Sequence, residues 1–284
     1  GGYTLSNSGD PENLVLAEFS YGEEAVVVWE ELHNFSKDIY MNKVSEDGSV
    51  AFPAGIAVTS EANDQSNIEI IRGDNKVLIA WEDFANGIDF NITGQIIDAN
   101  SMELIGDNIA ICHEDLYQGS PTLAYDGDGR FIVAWEDERG VDNGDPALSG
   151  GLDVYVQIVT EEGLQYQAGG VTVASEYHDQ SLPQLQHLYF NDYGDPVWML
   201  YWIDMRTSGK EDLKNLYAQG IEIVESGIED DLVPTEFKVS AAYPNPFNGA
   251  VALDVEISEV GPVIFSITNI LGEMVYQQTL LPTR

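Results

Sequence analysis

The sequence predicts an all-β protein in which a four-bladed β-propeller of four-stranded repeats is followed by a smaller β-rich segment. Three observations support this prediction: a motif that recurs four times, turn residues between short alternating stretches, and no helical period of useful length. The chain has 284 residues, of which 44% are hydrophobic. That is enough for one large domain and a small second one.

Each repeat is centred on a tryptophan that ends an apolar, alternating stretch and is followed by acids, as in 26–31. A second motif of the form Asp/Asn-x-Tyr-x-Gln comes next, then a turn, a short strand and a polar loop. Tandem units of roughly 45–55 residues with four short strands are typical of propeller blades. The four tryptophans, which we expect to pack between blades, are Trp29, Trp81, Trp135 and Trp202.

The two ends of the repeat region predict how the ring closes. Residues 3–5 match the fourth strand of a unit, whereas the last unit stops after its third strand, around 217–224. We therefore expect the first segment to pair beside the last, which leaves no open sheet edge. The alternative is an open β array, or a piece of a larger ring whose upstream blades are missing.

The repeats resemble the Trp-Glu-Asp…Asp-Ile-Tyr-Ala-Gln repeats of secreted proteins from Bacteroidetes-like bacteria, over residues 1–225. The second repeat departs most, because Thr93 replaces the tyrosine and no arginine follows its Trp-Glu-Asp.

Residues 226–236 form an acidic linker, and composition changes after it. The string 243–248, Tyr-Pro-Asn-Pro-Phe-Asn, is followed by two alternating apolar stretches, 251–257 and 263–267. Residues 237–284 are therefore similar to part of the type A sorting module of type IX secretion, except that Gly249 stands where that family has proline. The resemblance implies an Ig-like β-sandwich of which about half is present, the secretion machinery as a partner, and a secreted or cell-surface protein.

Composition limits the classes of partner. With 49 acidic and 11 basic side chains the net charge is −38, which repels nucleic acid and anionic membranes, so we expect neither nucleic-acid binding nor membrane insertion. The longest apolar run, 197–203, is much shorter than the roughly 18 residues of a membrane helix. Cys112 is the only cysteine, so no intrachain disulfide can form.

Two sets of acidic loops are predicted to share one face of the propeller. The first set follows the tryptophans, and the second carries Asp10, Asp64, Asp115 and Asp179. The candidate ligand-face residues are Glu30, Glu82, Asp83, Glu136, Asp137, Arg139, Asp204 and Arg206. Converging carboxylates suit Ca²⁺, and its candidate ligands are Glu82, Asp83, Glu136 and Asp137. The structural alternative is that the acids are framework. Arg139 and Arg206 would then pair with the preceding Asp137 and Asp204, or with the Asp or Asn that opens the next motif.

The sequence contains no Gly-x-Ser-x-Gly elbow, no His-Glu-x-x-His and no phosphate-binding Gly-rich loop, and its four histidines lack metal-ligand spacing. Cys112 and His113 are adjacent on a strand, so they point to opposite faces and form no dyad. We interpret Arg72-Gly73-Asp74 as a tight turn between strands rather than an adhesion tripeptide.

The sequence therefore favours an exported or cell-surface binding or adhesion module for a glycan or protein ligand. Its specificity is predicted to lie in the long loops 138–152 and 205–214. One alternative is a carbohydrate-active hydrolase or lyase that uses the acids of the loop face. The other is a structural surface or matrix protein.

Overall fold

The structure is a computed structural model that describes residues 5, 10–18, 24–33, 35–139, 151–175, 178–190, 196–205, 215–222, 238–239, 255–256, 263–268 and 274–280. Every regular element in these residues is a β-strand, which confirms the all-β prediction. None of them forms a helix that is long and apolar enough to cross a membrane. The chain divides into two compact units, Gly1–Gln219 and Gly220–Arg284.

Two four-stranded antiparallel sheets come first, each with its strands in chain order because short turns join consecutive strands. The first contains β1 (Pro11–Glu18), β2 (Glu24–His33), β3 (Ser36–Ser45) and β4 (Ile56–Ala57). The second contains β5 (Gln65–Arg72), β6 (Lys76–Asp83), β7 (Asn91–Asp98) and β8 (Leu104–Cys112).

The third and fourth sheets repeat this meander. The third contains β9 (Gln118–Tyr125), β10 (Phe131–Asp137), β11 (Asp153–Thr160), β12 (Gly163–Leu164) and β13 (Val171–Ala174), and β12 and β13 both pair with β11. The fourth contains β14 (Gln180–Phe190), β15 (Pro196–Asp204) and β16 (Asn215–Glu222). The four sheets correspond to the four predicted repeats.

A β-bulge recurs near the start of each sheet, where the first strand shifts register against the second. Each bulge holds a residue in the left-handed region. These residues are Asn13 (φ 43°), Asn67 (φ 53°), Ser120 (φ 50°) and Leu182 (φ 53°). A bulge interrupts the hydrogen bonds between the two strands, so the backbone N–H of the bulge residue can bond to a group outside its own sheet.

Consecutive sheets pack face to face, and the core lies between them. Val28 of the first sheet contacts the cluster that contains Ile68 and Trp81 of the second. Ala80 of the second sheet joins a cluster with Trp135 of the third. The four tryptophans are buried at equivalent positions, as predicted.

The described contacts cover the first three junctions between sheets. The Leu5 carbonyl oxygen accepts a hydrogen bond from Asn42 Nδ2 (3.2 Å), which places residue 5 beside the first sheet. Residues 3, 4, 223 and 224 of the predicted closing pair lie outside the described residues. Ring closure and the count of four blades therefore stay predictions.

The second unit contains two short antiparallel pairs. β17 (Lys238–Val239) pairs with β18 (Val255–Glu256), and β19 (Val263–Thr268) pairs with β20 (Met274–Leu280). β18 lies within the first predicted alternating stretch, and β19 covers the second and continues one residue beyond it, to Thr268. The Ig-like sandwich itself stays a prediction.

Candidate functional site

In three repeats the tryptophan donates its indole N–H to the acid two positions later, because residues two apart on a strand share a face. The Nε1 to carboxylate oxygen distances are 2.7 Å for Trp29–Glu31, 2.9 Å for Trp135–Asp137 and 3.1 Å for Trp202–Asp204. These acids are buried. Each of these acids therefore accepts a hydrogen bond from a tryptophan of the same strand.

In the third repeat the buried aspartate binds an arginine as well as the tryptophan. Arg139 binds both carboxylate oxygens of Asp137 at 2.7–3.0 Å and donates to the Gly169 carbonyl at 2.8 Å. Its guanidinium lies 4.4 Å from the centre of the Tyr155 ring, which stacks on Trp135. Burial alone would lower the pKa of Arg139, but the hydrogen bonds and charge of Asp137 outweigh it and raise that pKa. The predicted Arg139–Asp137 pair is present; Arg206 lies outside the described residues.

The first repeat reaches the same arrangement with different residues. His33 stands where Arg139 stands in the third repeat, with its Nε2 2.8 Å from Glu31 Oε1. The imidazole centre lies 5.2 Å from that of Tyr40, which stacks on Trp29. The longer glutamate and the shorter histidine thus replace the aspartate and arginine.

The second repeat replaces the tyrosine with Thr93, and His113 compensates. Thr93 Oγ1 donates to Asp83 Oδ2 (3.0 Å) and lies 2.7 Å from His113 Nε2. Burial lowers the pKa of His113, although the charge of Asp83 raises it part of the way back. Asp83 faces Thr93, and in the described part of the chain the buried Trp81 Nε1 has no hydrogen-bond partner. The departure was visible in the sequence, but the role of His113 was not.

The glutamate directly after each of the first three tryptophans faces the opposite way and ties its sheet to the next. It accepts the backbone N–H of the left-handed bulge residue that follows. These inter-sheet ties are Glu30–Asn67 (2.9 Å), Glu82–Ser120 (2.8 Å) and Glu136–Leu182 (2.9 Å). All three glutamates are buried, and Ile203 stands at this position in the fourth repeat. Glu30, Glu82 and Glu136 are thus placed as framework residues.

In the described residues, the loop that precedes each sheet lies beside the end of that sheet's tryptophan strand. A backbone carbonyl of this loop accepts a hydrogen bond from the N–H of the residue three positions after the tryptophan. The pairs are Asp10–Leu32 (3.3 Å), Asp64–Phe84 (2.9 Å), Tyr117–Glu138 (2.9 Å) and Asp179–Met205 (3.0 Å). In the third repeat Tyr117 therefore occupies the aspartate position, and Asp115 lies two residues before it.

Tyr117 is the side chain that breaks the repeat most clearly. Its hydroxyl oxygen lies 3.4 Å from both Glu82 Oε1 and Glu136 Oε1. Burial, with the charges of these two glutamates, raises the pKa of Tyr117 well above its usual value. A Cβ on Gly119 would lie 1.9 Å from the Tyr117 oxygen, so the phenol occupies space that a glycine leaves free. The signal was an aromatic residue in place of aspartate, with glycine two positions later.

The four candidate calcium ligands do not converge on one point. Glu82 and Asp83 are consecutive on a strand and face opposite sides of the sheet, as are Glu136 and Asp137. Both Asp137 oxygens are bound by Arg139. Across the described ranges, no three His, Cys, Asp or Glu side chains are grouped so that they could hold a metal ion. Calcium binding stays a prediction.

Two other sequence features have structural roles. Cys112 is buried with its Sγ 3.7 Å from Asp137 Oδ2, and burial raises its thiol pKa to about 12. Arg72, Gly73 and Asp74 lie where β5 turns into β6, and Arg72 Nη2 donates to the Asp74 carbonyl at 3.1 Å. The tripeptide is thus a turn between strands, as predicted.

The comparisons with known proteins identify the C-terminal segment. The family model "Secretion system C-terminal sorting domain" matches residues 241–283. The protein is therefore exported by type IX secretion to the cell surface or beyond it, and this domain interacts with the secretion machinery. No curated protein matches the chain.

Solved structures that resemble the chain have low identity. An α-L-arabinofuranosidase from Lactobacillus brevis is 11% identical, with a TM-score of 0.40 over 74% of this chain and 71% of that one. An endo-arabinase from Bacteroides thetaiotaomicron is 12% identical, with a TM-score of 0.42 over 75% of each chain. A putative exo-β-1,3-galactanase from Bifidobacterium bifidum is 11% identical, with a TM-score of 0.42 over 76% of this chain and 68% of that one.

Proposed function

We propose that the chain is an exported binding or adhesion module whose repeat domain presents a ligand surface on its loop face. One observation supports it most. The acids that recur after the tryptophans are buried and already accept hydrogen bonds from other groups of the protein. Glu82 and Glu136 tie sheets together, and Asp137 holds Trp135 and Arg139. A ligand must then be met by the loops, which differ between repeats.

A carbohydrate-active hydrolase is the second candidate, because Tyr117 places a phenol between two glutamates in one repeat only. A glycosidase needs one carboxyl group as acid and another as base or nucleophile. Here Glu82 Oε1 already accepts from Ser120 N (2.8 Å) and Asn67 Nδ2 (2.7 Å). This arrangement suits a structural tie better than proton transfer.

A paired assay separates the two functions. The full chain is tested for binding to immobilised polysaccharides and proteins, and for release of reducing sugar from the same polysaccharides. We expect saturable binding without hydrolysis. Hydrolysis that disappears in Glu82→Gln or Glu136→Gln while the variant stays folded would establish the enzyme instead. Absence of both binding and hydrolysis would leave the structural matrix protein.

We also propose that the fourth sheet closes the ring on the first. Leu14 and Leu16 of β1 are 56% and 53% exposed, whereas Ile68 and Leu123, at the corresponding positions of β5 and β9, are buried against the preceding sheet. At the other end, Met199, Tyr201 and Ile203 of β15 are only half-buried. The outer face of β1 and the outer face of β15 are thus both apolar, as are the faces that meet at the three described junctions between sheets.

Closure is tested by the stability of Leu14→Ser/Leu16→Ser. If the fourth sheet covers β1 in solution, the double variant loses about 3 kcal/mol or more of unfolding free energy, since each leucine buries about 1.5–3 kcal/mol. The control is Leu104→Ser on β8, an exposed leucine of the second sheet. A double variant no less stable than this control would favour the open array.

A further inference from the structure

Three large apolar side chains are exposed in the described loops, whereas the other exposed large apolar residues of the described chain lie in strands. Phe35 is 101% exposed, Ile88 81% and Leu116 51%. Isolated exposed apolar residues are common on protein surfaces and need no function. The backbone that carries these three is what distinguishes them.

Phe35 occupies a position that favours glycine. β2 and β3 pair up to His33 and Ser36, so two residues join them, and Phe35 has φ 74°. Two-residue hairpin connections need positive φ and select Gly or Asn there, because a Cβ is strained in the left-handed region. A fully exposed ring gains no burial in return. The side chain thus costs stability without a structural benefit.

Leu116 is strained in the same way and is held in place. It has φ 75°, and its backbone N–H donates to Asp89 Oδ2 at 2.9 Å. Asp89 Oδ1 accepts from Asn86 Nδ2 at 2.5 Å, and Asn86 Oδ1 accepts the N–H of Ile88 at 2.9 Å. One hydrogen-bonded network therefore presents Ile88 and Leu116 together. The network fixes the backbone that carries these two side chains, so less backbone entropy is lost on binding.

Two further hydrogen bonds link the first repeat to the second. The N–H of Lys37, two residues after Phe35, donates to Asp64 Oδ1 at 3.0 Å. The neighbouring Asn63 Nδ2 donates to the Ala85 carbonyl at 3.4 Å, at the base of the Ile88 turn. Phe35, Ile88 and Leu116 are thus the apolar points of one connected edge, which we call the apolar rim.

Carboxylates surround the apolar rim. Glu61, Asp64, Glu114 and Asp115 are exposed in the loops beside it. Lys37, two residues after Phe35 in the sequence, forms ion pairs with Glu12 (2.9 Å) and Glu30 (3.0 Å). Hydrogen bonds with these two glutamates raise the pKa of Lys37 despite its partial burial. The edge therefore combines apolar side chains on a hydrogen-bonded backbone with a negative border.

We propose that the apolar rim docks a protein surface with apolar pockets and a basic border. This inference rests on the proposed binding function and names the class of its ligand. Binding energy in protein interfaces concentrates in a few apolar anchors, and charge complementarity guides the encounter. Two of the three rim residues, Ile88 and Leu116, are aliphatic, so only Phe35 offers a ring face on which a sugar could stack. These features favour a cationic protein over a glycan.

The test uses two peptide probes of equal charge, one alternating Lys and Leu and the other alternating Lys and Ser. Fluorescence anisotropy with the full chain at about 0.15 M NaCl limits purely electrostatic association. We expect the Lys-Leu peptide to bind at least about tenfold more tightly, as one strong anchor accounts for that factor. The variant Phe35→Gly/Ile88→Ser/Leu116→Gly is expected to bind both peptides equally.

The matched control is Leu104→Ser/Leu216→Ser, which removes exposed leucines from β8 and β16. It should bind the Lys-Leu peptide as the unaltered chain does, with all variants checked for folding by thermal melts. Equal affinity for both peptides, or an unchanged affinity in the rim variant, overturns the inference. If the chain binds only polysaccharides, the inference fails while the proposed function stands. If it binds neither, both fail.

Discussion

At residue scale, Asp137 shows how one carboxylate serves the framework. It accepts from the Trp135 indole, the Arg139 guanidinium and the Arg139 backbone N–H (2.9 Å). In the second repeat Asp83 instead binds Thr93 and the Ala85 N–H (2.9 Å). The two aspartates are matched in position and burial but differ in the charge of their partners.

We therefore predict that Asp137→Ala destabilises the protein more than Asp83→Ala. Loss of Asp137 strands a partly buried guanidinium and an indole N–H, which costs about 3–5 kcal/mol. Loss of Asp83 leaves only neutral donors, at about 1–3 kcal/mol. Urea unfolding of the two variants measures the difference. Equal losses would show that the Arg139 pair contributes no more than a neutral hydrogen bond.

Cys112 gives a prediction with a pH dependence. Burial raises its thiol pKa to about 12, so the native thiol should resist alkylation by iodoacetamide at pH 8–9 and react once urea unfolds the chain. A raised folded-state pKa contributes stability below the ordinary thiol pKa that is lost as pH rises through the folded value. Unfolding midpoints should thus fall from about pH 9 upwards in the native chain and less in Cys112→Ala. Rapid native alkylation would contradict the burial.

We expect the exposed Phe35 side chain to lower the stability of the folded protein or leave it unchanged. Phe35→Gly removes a side chain from the left-handed region, where it costs about 1–2 kcal/mol, but adds unfolded-state freedom worth about 0.4–1 kcal/mol. The melting temperature should therefore rise or stay level. A clear fall would mean that the ring is packed in solution and is no anchor.

At element scale, the third repeat is rebuilt around Tyr117 and Gly119. Gly119→Ala places a methyl group on the phenol oxygen and within 2.8 Å of Glu82 Oε1, so we expect a loss of about 1–3 kcal/mol. Tyr117→Asp restores the residue of the other repeats, and Gly119→Ala should be much milder in that background. A double-mutant cycle measures the coupling. Additive losses would mean that the two positions do not share this space.

The sequence predicted the repeat count, the strand order and the buried tryptophans because these follow from period-2 alternation and turn residues. It did not predict the ties from Glu30, Glu82 and Glu136, because their donors are backbone N–H groups of the next sheet. Asp115 does not hold the position of Asp64, which Tyr117 occupies, because residue type alone does not fix the register of an acidic loop. Alternation does not report positive φ, so it gives no sign of the exposed Phe35 and Ile88.

At the scale of the whole molecule, the net charge of −38 must be screened or compensated. Because Glu82, Asp83, Glu136 and Asp137 are spread over both faces of their sheets, we expect most of the stabilisation by salt to be general screening. Thermal melts in EDTA, CaCl₂ and NaCl of matched ionic strength distinguish general screening from specific calcium binding. A melting temperature clearly higher in CaCl₂ would establish a specific calcium site among the loop carboxylates.

The recurring glutamates tie neighbouring sheets together, and we expect neither a ligand nor a substrate to bind them. The unfolding free energies of Glu30→Ala, Glu82→Ala and Glu136→Ala test this role, with the exposed Glu61→Ala as control. Each tie variant leaves a buried N–H without its carboxylate and should lose about 2–4 kcal/mol, while the control stays within about 0.5 kcal/mol of the unaltered chain. Tie variants that unfold like the control, yet lose ligand binding or hydrolytic activity, would contradict the account.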